Sequence, residues 1–303
     1  MAVISVMSAK GAPGTTTTAL LLATLWPAPT IMLDADPLGG DVALRLQRSD
    51  GRAMDPERGL LSLLPAARRG LLPETVAQHT QEAVGGQPVL AGLPGPEQAL
   101  AVAPLWPQLS EAFSRVPGAD MFIDVGQVQS RSEHLPLIQH SDLLLCVYRP
   151  TAWSALHSRR RIESIGETLR DYGVRVGIIG VSSPDQESDR QMAASAIRTG
   201  LDWVADYGGV AFDPRAVVMF EGVVVYRPER TLLARSGRTV AERVYADLSA
   251  VAAARSDQPV GDHPGTDSPA AVADAVLPGS DDEPRRRGRR RGAKRSREAK
   301  GVS

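Results

Sequence analysis

A glycine-bearing turn near the start of the chain limits the possible folds more than any other feature. Residues 8–18, SAKGAPGTTTT, follow an apolar run at 3–6 and precede a helix-like run at 19–26. In such a turn the backbone N–H groups and the positive end of the following helix point at an anion, and glycine lets the backbone approach it closely. The segment therefore predicts a phosphate site between a strand and a helix. The alternative is an ordinary turn of glycine, proline and threonine.

The turn departs from the most common phosphate-binding loop at two positions. A loop of the form G-x-x-x-x-G-K-[ST] has a lysine directly after its last glycine, where the ammonium group reaches the β- and γ-phosphates. That position is Thr15 in this chain, and Ala9 stands in place of the first glycine. Lys10 is therefore the only cation that the sequence places at the turn.

The turn also has a specific family resemblance. The pattern Lys10-Gly11-x-x-Gly14-x-Thr16-Thr17 resembles the deviant Walker A motif, K-G-G-x-G-K-T-T, of the ParA/MinD family of dimerising ATPases. The resemblance implies ATP and Mg²⁺ as cofactors and a homodimer that sandwiches the nucleotide. It implies that Lys10 acts catalytically by reaching the partner's phosphates, and that the Thr16 hydroxyl binds Mg²⁺. The implied nucleotide-binding residues of the turn are Gly11, Ala12, Pro13, Gly14, Thr15, Thr16 and Thr17.

A second segment places two aspartates after an apolar run. Residues 30–33 are followed by DADP, which begins at Asp34, and carboxylates at a strand's carboxyl end lie where ligands bind in open α/β sheets. The segment resembles the D-x-D-P-x-G-N stretch of ParA proteins. Its continuation at 40–44, GDVAL, is similar to the CpaE/TadZ branch, which localises pilus secretion machinery. The resemblance implies that Asp36 positions the attacking water next to Mg²⁺ and that Asp34 supports it; the alternative is that both cap the next helix.

A third apolar run, at 119–123, ends at Asp124 and resembles a Walker B strand. By this resemblance Asp124 holds Mg²⁺ through water. Magnesium keeps several waters and is usually bound by one or two carboxylates and by phosphates, so Asp124 and Thr16 form a minimal set. The apolar run at 142–150 and the helix-like segment at 152–169 are also similar to the CpaE/TadZ pattern.

Two later segments concern the nucleotide base. The apolar run at 174–181 leads into Ser182, where the family usually has an asparagine that recognises adenine. Residues 210–215 are similar to the family's last strand and the loop that lies over the base. The resemblance therefore implies that Phe212, Asp213 and Pro214 contact the nucleotide. The resemblance to the ParA/MinD family covers about residues 1–253.

The apolar runs alternate with helical stretches along these 253 residues. This alternation predicts an α/β fold with a mostly parallel, doubly wound sheet and helices on both faces. We expect one ParA/MinD-like P-loop NTPase domain at 1–253 and a disordered tail at 254–303, which has too few large apolar residues to offset the entropy of ordering.

The tail ends in a basic run. Residues 285–300 hold ten basic groups and one acidic group, which leaves 24 basic and 34 acidic residues in the rest of the chain. Arginine runs bind nucleic acids and anionic lipid surfaces through their charge. The alternative is a solvated tail that folds back on its own acidic domain.

The resemblance implies a ParA/MinD-like spatial organiser that dimerises around ATP with weak or absent hydrolysis and localises a pilus or secretion, chromosome or polar complex. One alternative is an active ATPase that cycles on DNA or membrane. The other is a nucleotide-free scaffold in which the hydroxyls of Thr15 to Thr18 fill the turn. The chain lacks an 18-residue apolar span and a charged leader, so we expect a cytoplasmic protein at the nucleoid or the inner membrane face. Its single cysteine, Cys146, excludes a disulfide within one chain.

Overall fold

Eight strands and ten α-helices form the part of the chain that the computed structural model describes, residues 1–11 and 14–256. The strands are β1 (Val3–Ser8), β2 (Thr30–Asp34), β3 (Gln81–Glu82), β4 (Pro88–Leu90), β5 (Asp120–Gln127), β6 (Leu143–Tyr148), β7 (Arg175–Ser182) and β8 (Val204–Ala211). The helices are α1 (Thr15–Thr24), α2 (Val42–Arg45), α3 (Leu60–Ala67), α4 (Pro96–Val102), α5 (Trp106–Phe113), α6 (Leu135–Gln139), α7 (Ala152–Asp171), α8 (Glu187–Arg198), α9 (Pro214–Val217) and α10 (Leu232–Ser256). Short 3-10 helices lie at Pro73–His79, Ala103–Leu105, Pro184–Gln186, Val218–Glu221 and Pro228–Arg230.

All eight strands belong to one sheet, in the order β3-β4-β2-β5-β1-β6-β7-β8. Every neighbouring pair is parallel except β3 with β4, at one edge. Strand β1 lies in the middle, where Val6 pairs with Asp124 on β5 and with Leu145 on β6. The predicted mostly parallel sheet is confirmed.

Helices cover both faces of the sheet. Along β1, Ile4 and Val6 pack into the apolar cluster that α1 and α10 cover, and Val3 and Met7 pack into the cluster that α3, α5, α7 and α8 cover. A strand buried on both faces is apolar at nearly every position, which explains why the runs in the sequence are continuous rather than alternating. The doubly wound arrangement is confirmed.

Two element boundaries differ from the sequence-based prediction. Helix α1 begins at Thr15 rather than Ala19, because Gly14 forms its N-terminal cap in the left-handed region (φ 102°) and the Thr18 N–H donates to the Gly14 carbonyl at 2.8 Å. Strand β5 does not end at Asp124 but continues to Gln127. The pairing with β1 shifts after Asp124, and Gly126 takes φ 57° there, so the strand bulges and resumes instead of ending.

At the C-terminus, α10 extends to Ser256, three residues past the predicted domain boundary. Of the predicted disordered tail at 254–303, residues 257–303 lie outside the described part of the chain. Among the described helices, none combines the length and the apolar character needed to cross a membrane.

Candidate functional site

The turn between β1 and α1 depends on two glycines with positive φ. Gly11 has φ 61° and Gly14 has φ 102°, in the region that residues with a Cβ rarely adopt. A Cβ at Gly11 would also lie 3.2 Å from Nε2 of Gln127. The turn therefore brings its backbone against the end of β5. Ala12 and Pro13, two of the predicted nucleotide-binding residues, lie outside the described residues.

A cavity of about 310 Å³ opens beside this turn, at the carboxyl ends of β1, β2 and β5. Its volume is at the lower end of the range of small-molecule sites. The structure thus brings together seven predicted site residues from three separate segments. The residues that line the cavity are Ser8, Gly11, Gly14, Thr15, Thr16, Thr17, Asp36, Asp41, Arg45, Asp124, Gly126 and Gln127.

Asp124 places a buried carboxylate at the cavity, beside the Thr16 hydroxyl. The residue is 1% exposed; its Oδ1 accepts a hydrogen bond from the Gly126 N–H at 3.0 Å, and its Oδ2 has no hydrogen-bond partner among the described residues. Burial raises the pKa of Asp124 to about 6, although the nearby Thr16 hydroxyl and the Gly126 N–H act in the opposite direction. A buried polar atom without a partner needs an explanation, and a divalent cation next to Thr16 supplies one.

Magnesium fits this donor set, because it is usually held by one or two carboxylates together with phosphate and water. Thr16 and Asp124 offer a hydroxyl and a carboxylate, and Asp36 offers a second carboxylate on the same cavity. Within residues 1–11 and 14–256, no group of three or more His, Cys, Asp or Glu side chains is arranged to hold a metal ion.

Asp34, the last residue of β2, and Asp36, which follows the strand, have different contacts. Asp34 is 1% exposed and accepts hydrogen bonds from the backbone N–H groups of Val42, at 3.0 Å, and Asp36, at 3.3 Å. Val42 is the first residue of α2, so the helix-capping alternative holds for Asp34. Burial, and then the charge of Asp124, raise the pKa of Asp34 to about 7.

Asp36 lies on the cavity and does not bond to α2. Its Oδ1 accepts from the Leu38 N–H at 2.9 Å, within the turn, and burial raises its pKa. Its carboxylate lies against the bulge of β5, so closely that a Cβ at Gly126 would overlap it. The glycine therefore lets the loop after β2 touch the strand that carries Asp124.

Lys10 lies outside this cavity. It is exposed and lines a neighbouring cavity of about 290 Å³, together with Arg149, Ser154 and His157 near the start of α7. The carbonyl of Ala9 accepts a hydrogen bond from Arg161 of α7 at 3.4 Å, which holds the turn next to that helix.

The residues predicted to lie over the base have local structural contacts. The Phe212 N–H donates to the Ser182 carbonyl at 2.8 Å. Phe212 is 46% exposed, and the guanidinium of Arg149 lies 4.4 Å from the centre of its ring. Asp213 caps α9 by accepting from the Ala216 N–H at 3.1 Å, and Pro214 is the first residue of that helix. Phe212, Asp213 and Pro214 are not among the residues that line the 310 Å³ cavity.

Ser182 lies at the end of β7 and is buried. It lines a separate cavity of about 340 Å³, bounded also by Val210 and Ala211 of β8 and by α10. The position that carries asparagine in the resembling family therefore borders a cavity, but offers it a hydroxyl instead of an amide.

Sequence reasoning missed a cation at the site. Arg45, the last residue of α2, lines the same cavity as Thr16 and Asp124, and its Nη2 lies 3.5 Å from Oε1 of Glu221. Lys10 is therefore not the only cation near the turn, contrary to the sequence-based expectation. The available signal was the spacing of Asp41 and Arg45, since residues four apart lie on one side of a helix.

No family model matches the sequence, and no curated protein matches it. Solved structures do match the fold. A ParA family ATPase from Chlorobium tepidum superposes with a TM-score of 0.62 at 15% identity, over 80% of this chain and 98% of that chain. The ATP complex of a McdA variant from Cyanothece superposes with a TM-score of 0.59 at 17% identity, over 82% of this chain and 96% of that chain. MinD from Pyrococcus horikoshii with Mg-ADP superposes with a TM-score of 0.59 at 17% identity, over 82% of this chain and 98% of that chain.

At 15–17% identity, these superpositions show the fold alone. The eight-stranded, mostly parallel sheet with helices on both faces is that of the ParA/MinD P-loop NTPases.

Proposed function

We propose that this chain is a ParA/MinD-type spatial organiser that binds ATP with Mg²⁺ at the β1–α1 turn, dimerises around the nucleotide and hydrolyses it weakly or not at all. One observation carries the proposal: the glycine turn, Thr16 and the unpartnered Oδ2 of buried Asp124 meet in one open cavity. The match of the fold to an ATP complex and an Mg-ADP complex supports the choice of cofactors.

In this proposal each group has a defined task. Gly11 and Gly14 leave the backbone accessible to phosphate oxygens, and Thr16 and Asp124 hold the metal. Bound Mg²⁺ would neutralise phosphate charge. Asp36, fixed against the bulge of β5, orients a water molecule on the cavity side.

The charges of the cavity support weak nucleotide binding. Among the described residues that line the cavity, three are aspartates and one is an arginine, and Thr15 stands where a lysine would reach the phosphates. A charge-assisted hydrogen bond contributes about 1.5–3 kcal/mol, so its loss weakens nucleotide binding by about one to two decades. Phosphates approaching this acidic cavity need a divalent cation, and binding should depend strongly on Mg²⁺.

The position of Lys10 supports dimerisation. The side chain is exposed and lies beside, not in, the cavity of its own chain, so it is available to the phosphates of a second copy. The resemblance of residues 40–44 to the CpaE/TadZ branch supports a pilus or secretion complex as the partner and cargo.

Titration calorimetry with ATP, in the presence and absence of Mg²⁺, and measurement of phosphate release test the proposal. Thr16→Val and Asp124→Asn should abolish the Mg²⁺-dependent part of binding. Thr24→Val is the matched control, because Thr24 lies at the other end of α1 and its hydroxyl donates to the Leu20 carbonyl at 2.8 Å.

The wild-type protein should bind Mg-ATP and release little phosphate. Sustained release would favour the cycling ATPase. A wild type that does not bind Mg-ATP, or a Thr16→Val variant that binds like Thr24→Val, would refute the proposal.

We also propose that the basic run at 285–300, outside the described residues, attracts DNA at the nucleoid or anionic lipid at the inner membrane face. Removal of residues 281–303 should lower affinity for both surfaces and leave the melting temperature unchanged. Removal of 301–303 alone keeps all ten basic residues and is the control. In the intact protein, each neutralised phosphate contributes about −0.9 to the slope of log K against log salt. If the two truncated proteins bound DNA equally in fluorescence anisotropy and vesicles equally in sedimentation, the basic run would not attract either surface.

A further inference from the structure

The 310 Å³ cavity beside the β1–α1 turn has one positively charged side chain among the described residues that line it. Among the described residues that line it, Arg45 is the sole cation and Asp36, Asp41 and Asp124 are the acids. Lys10, predicted for the phosphates, lines the neighbouring cavity. We infer that Arg45 binds the nucleotide's phosphate in place of the lysine that Thr15 replaces, and that Glu221 competes with phosphate for it. The inference rests on the proposed function of nucleotide binding.

The fold fixes the backbone of Arg45 at the cavity. Helix α2 is anchored at its first residue, where the Val42 N–H donates to Asp34 at 3.0 Å and the Val42 side chain is buried in the cluster under α1. At its last residue, the Arg45 N–H donates to the Asp41 carbonyl at 3.0 Å, and the next residue, Leu46, is buried. The arginine therefore extends from a short, well-anchored helix.

The guanidinium is held only weakly in its present position. Its ion pair with Glu221 spans 3.5 Å, and the two side chains are 35% and 42% exposed. Exposed ion pairs of this kind contribute about 0–1 kcal/mol. Arginine has a planar fork of donors that suits two phosphate oxygens, and charge-assisted bonds of that kind are stronger than an exposed pair. Exchange of the carboxylate for a phosphate is therefore favourable.

Glu221 remains near the site because its segment is fixed to the chain after α2. It ends the short helix Val218–Glu221, and the following Gly222, with φ 80°, lies so close to Gln47 that a Cβ there would be 2.5 Å from Gln47 Oε1. The carboxylate is thus a constant local competitor, and its removal should increase phosphate affinity.

A purely neutralising role for Arg45 predicts a different pattern of binding. If Arg45 only offsets the three acids, its loss would strengthen the binding of Mg²⁺ alone, and with it the binding of Mg²⁺ complexes. If Arg45 binds phosphate, its loss strengthens Mg²⁺ alone but weakens Mg-ATP and Mg-pyrophosphate. Pyrophosphate carries no base, so a parallel loss for both probes assigns the contact to phosphate.

The test is calorimetry of the full chain with Mg²⁺ alone, Mg-ATP and Mg-pyrophosphate. Arg45→Ala should weaken both phosphate probes by about tenfold, and Arg45→Lys should weaken them less. Glu221→Gln should strengthen them by about two- to fivefold. Arg48→Ala is the matched control, since Arg48 lies outside the cavity and pairs with Asp50 at 2.9 Å.

The outcomes separate this inference from the proposed function. Thr16-dependent Mg-ATP binding that is unchanged in Arg45→Ala would overturn the inference and leave the proposed function standing. A wild type that binds neither phosphate probe would overturn both. If melting curves show that Arg45→Ala is unfolded, the exposed substitution Glu221→Gln decides, and unchanged affinity in that variant overturns the inference.

Discussion

Replacement of Asp124 by asparagine should remove a pH-dependent loss of stability from the ligand-free domain. Burial raises the pKa of Asp124 from 3.8 to about 6, and burial with the charge of Asp124 raises the pKa of Asp34 from 3.8 to about 7. The folded state therefore keeps protons that the unfolded state releases. The protonated carboxyls make their full contribution to the free energy of unfolding below pH 4, and that contribution is lost as the pH rises towards 7.

The size of the effect follows from the pKa difference. One pKa unit corresponds to about 1.4 kcal/mol, so ionisation of Asp124 lowers the free energy of unfolding by about 3 kcal/mol in total, of which about 2 kcal/mol falls between pH 4.5 and pH 8. For a domain of this size, 1 kcal/mol shifts the melting temperature by about 2–4 °C. The asparagine amide also costs about 1–3 kcal/mol if its N–H₂ finds no acceptor, but that cost does not change with pH.

Thermal unfolding of both proteins from pH 4.5 to pH 8, without divalent cations, measures this difference. The melting temperature of Asp124→Asn should rise relative to the wild type by about 4–8 °C across that range. Asp120→Asn, on the same strand, is the control, because it loses a carboxylate that accepts from the Ala2 N–H at 2.6 Å and from the Trp26 indole at 2.7 Å and should simply be less stable.

Mg-ATP at pH 8, at a hundred times its dissociation constant, should then stabilise the wild type by about 2.7 kcal/mol and leave Asp124→Asn unchanged. If the difference in melting temperature between the two proteins did not change with pH, the reasoning would be refuted. Ionisation of Asp124 would then not lower the free energy of unfolding.

Three further substitutions test separate parts of the site. Lys10→Ala should abolish nucleotide-dependent dimerisation, and light scattering that still increases with ATP would exclude a cross-dimer role. Thr15→Lys should strengthen ATP binding about tenfold by adding a phosphate-directed charge; unchanged affinity in calorimetry would show a turn not shaped for phosphate. Gly126→Ala should lower the melting temperature and weaken Mg-ATP binding, because φ is 57° and the new Cβ overlaps Asp36. The control is Gly51→Ala, where φ is 77° and no atom lies near the new Cβ, so that only backbone strain is added. Equal effects of the two glycine substitutions would contradict the proposed contact.

The sequence predicted the sheet and most of the cavity because both depend on regular features. Continuous apolar runs alternating with helices indicate parallel strands, and the carboxyl ends of parallel strands meet at one edge. Asp36, Asp124 and the turn could therefore be expected to lie together, and the structure places Gly11 and residues 14–17 of the turn beside both aspartates.

The missed features depend on contacts between distant segments. Strand β5 continues past Asp124 because Gly126 adopts a left-handed conformation beside Asp36, and nothing near Gly126 in the sequence indicates that contact. Arg45 reaches the cavity because Val42 is buried under α1, which fixes the direction of a helix of only four residues. The pattern at 212–214 matched the family, yet it does not reveal that Asp213 caps a helix.

The central place of β1 in the sheet has a consequence for synthesis of the chain. The strand leaves the ribosome before its two neighbours, β5 and β6, which are separated from it by more than a third of the 303 residues. At about 5–20 residues per second, the nascent chain carries β1, apolar on both faces, for roughly ten seconds before it can pair with either neighbour. A chain that terminates before Leu143 contains the β1–α1 turn and β5 but lacks β6, the other neighbour of β1. Such fragments should need chaperones and should not compete with the finished protein for nucleotide.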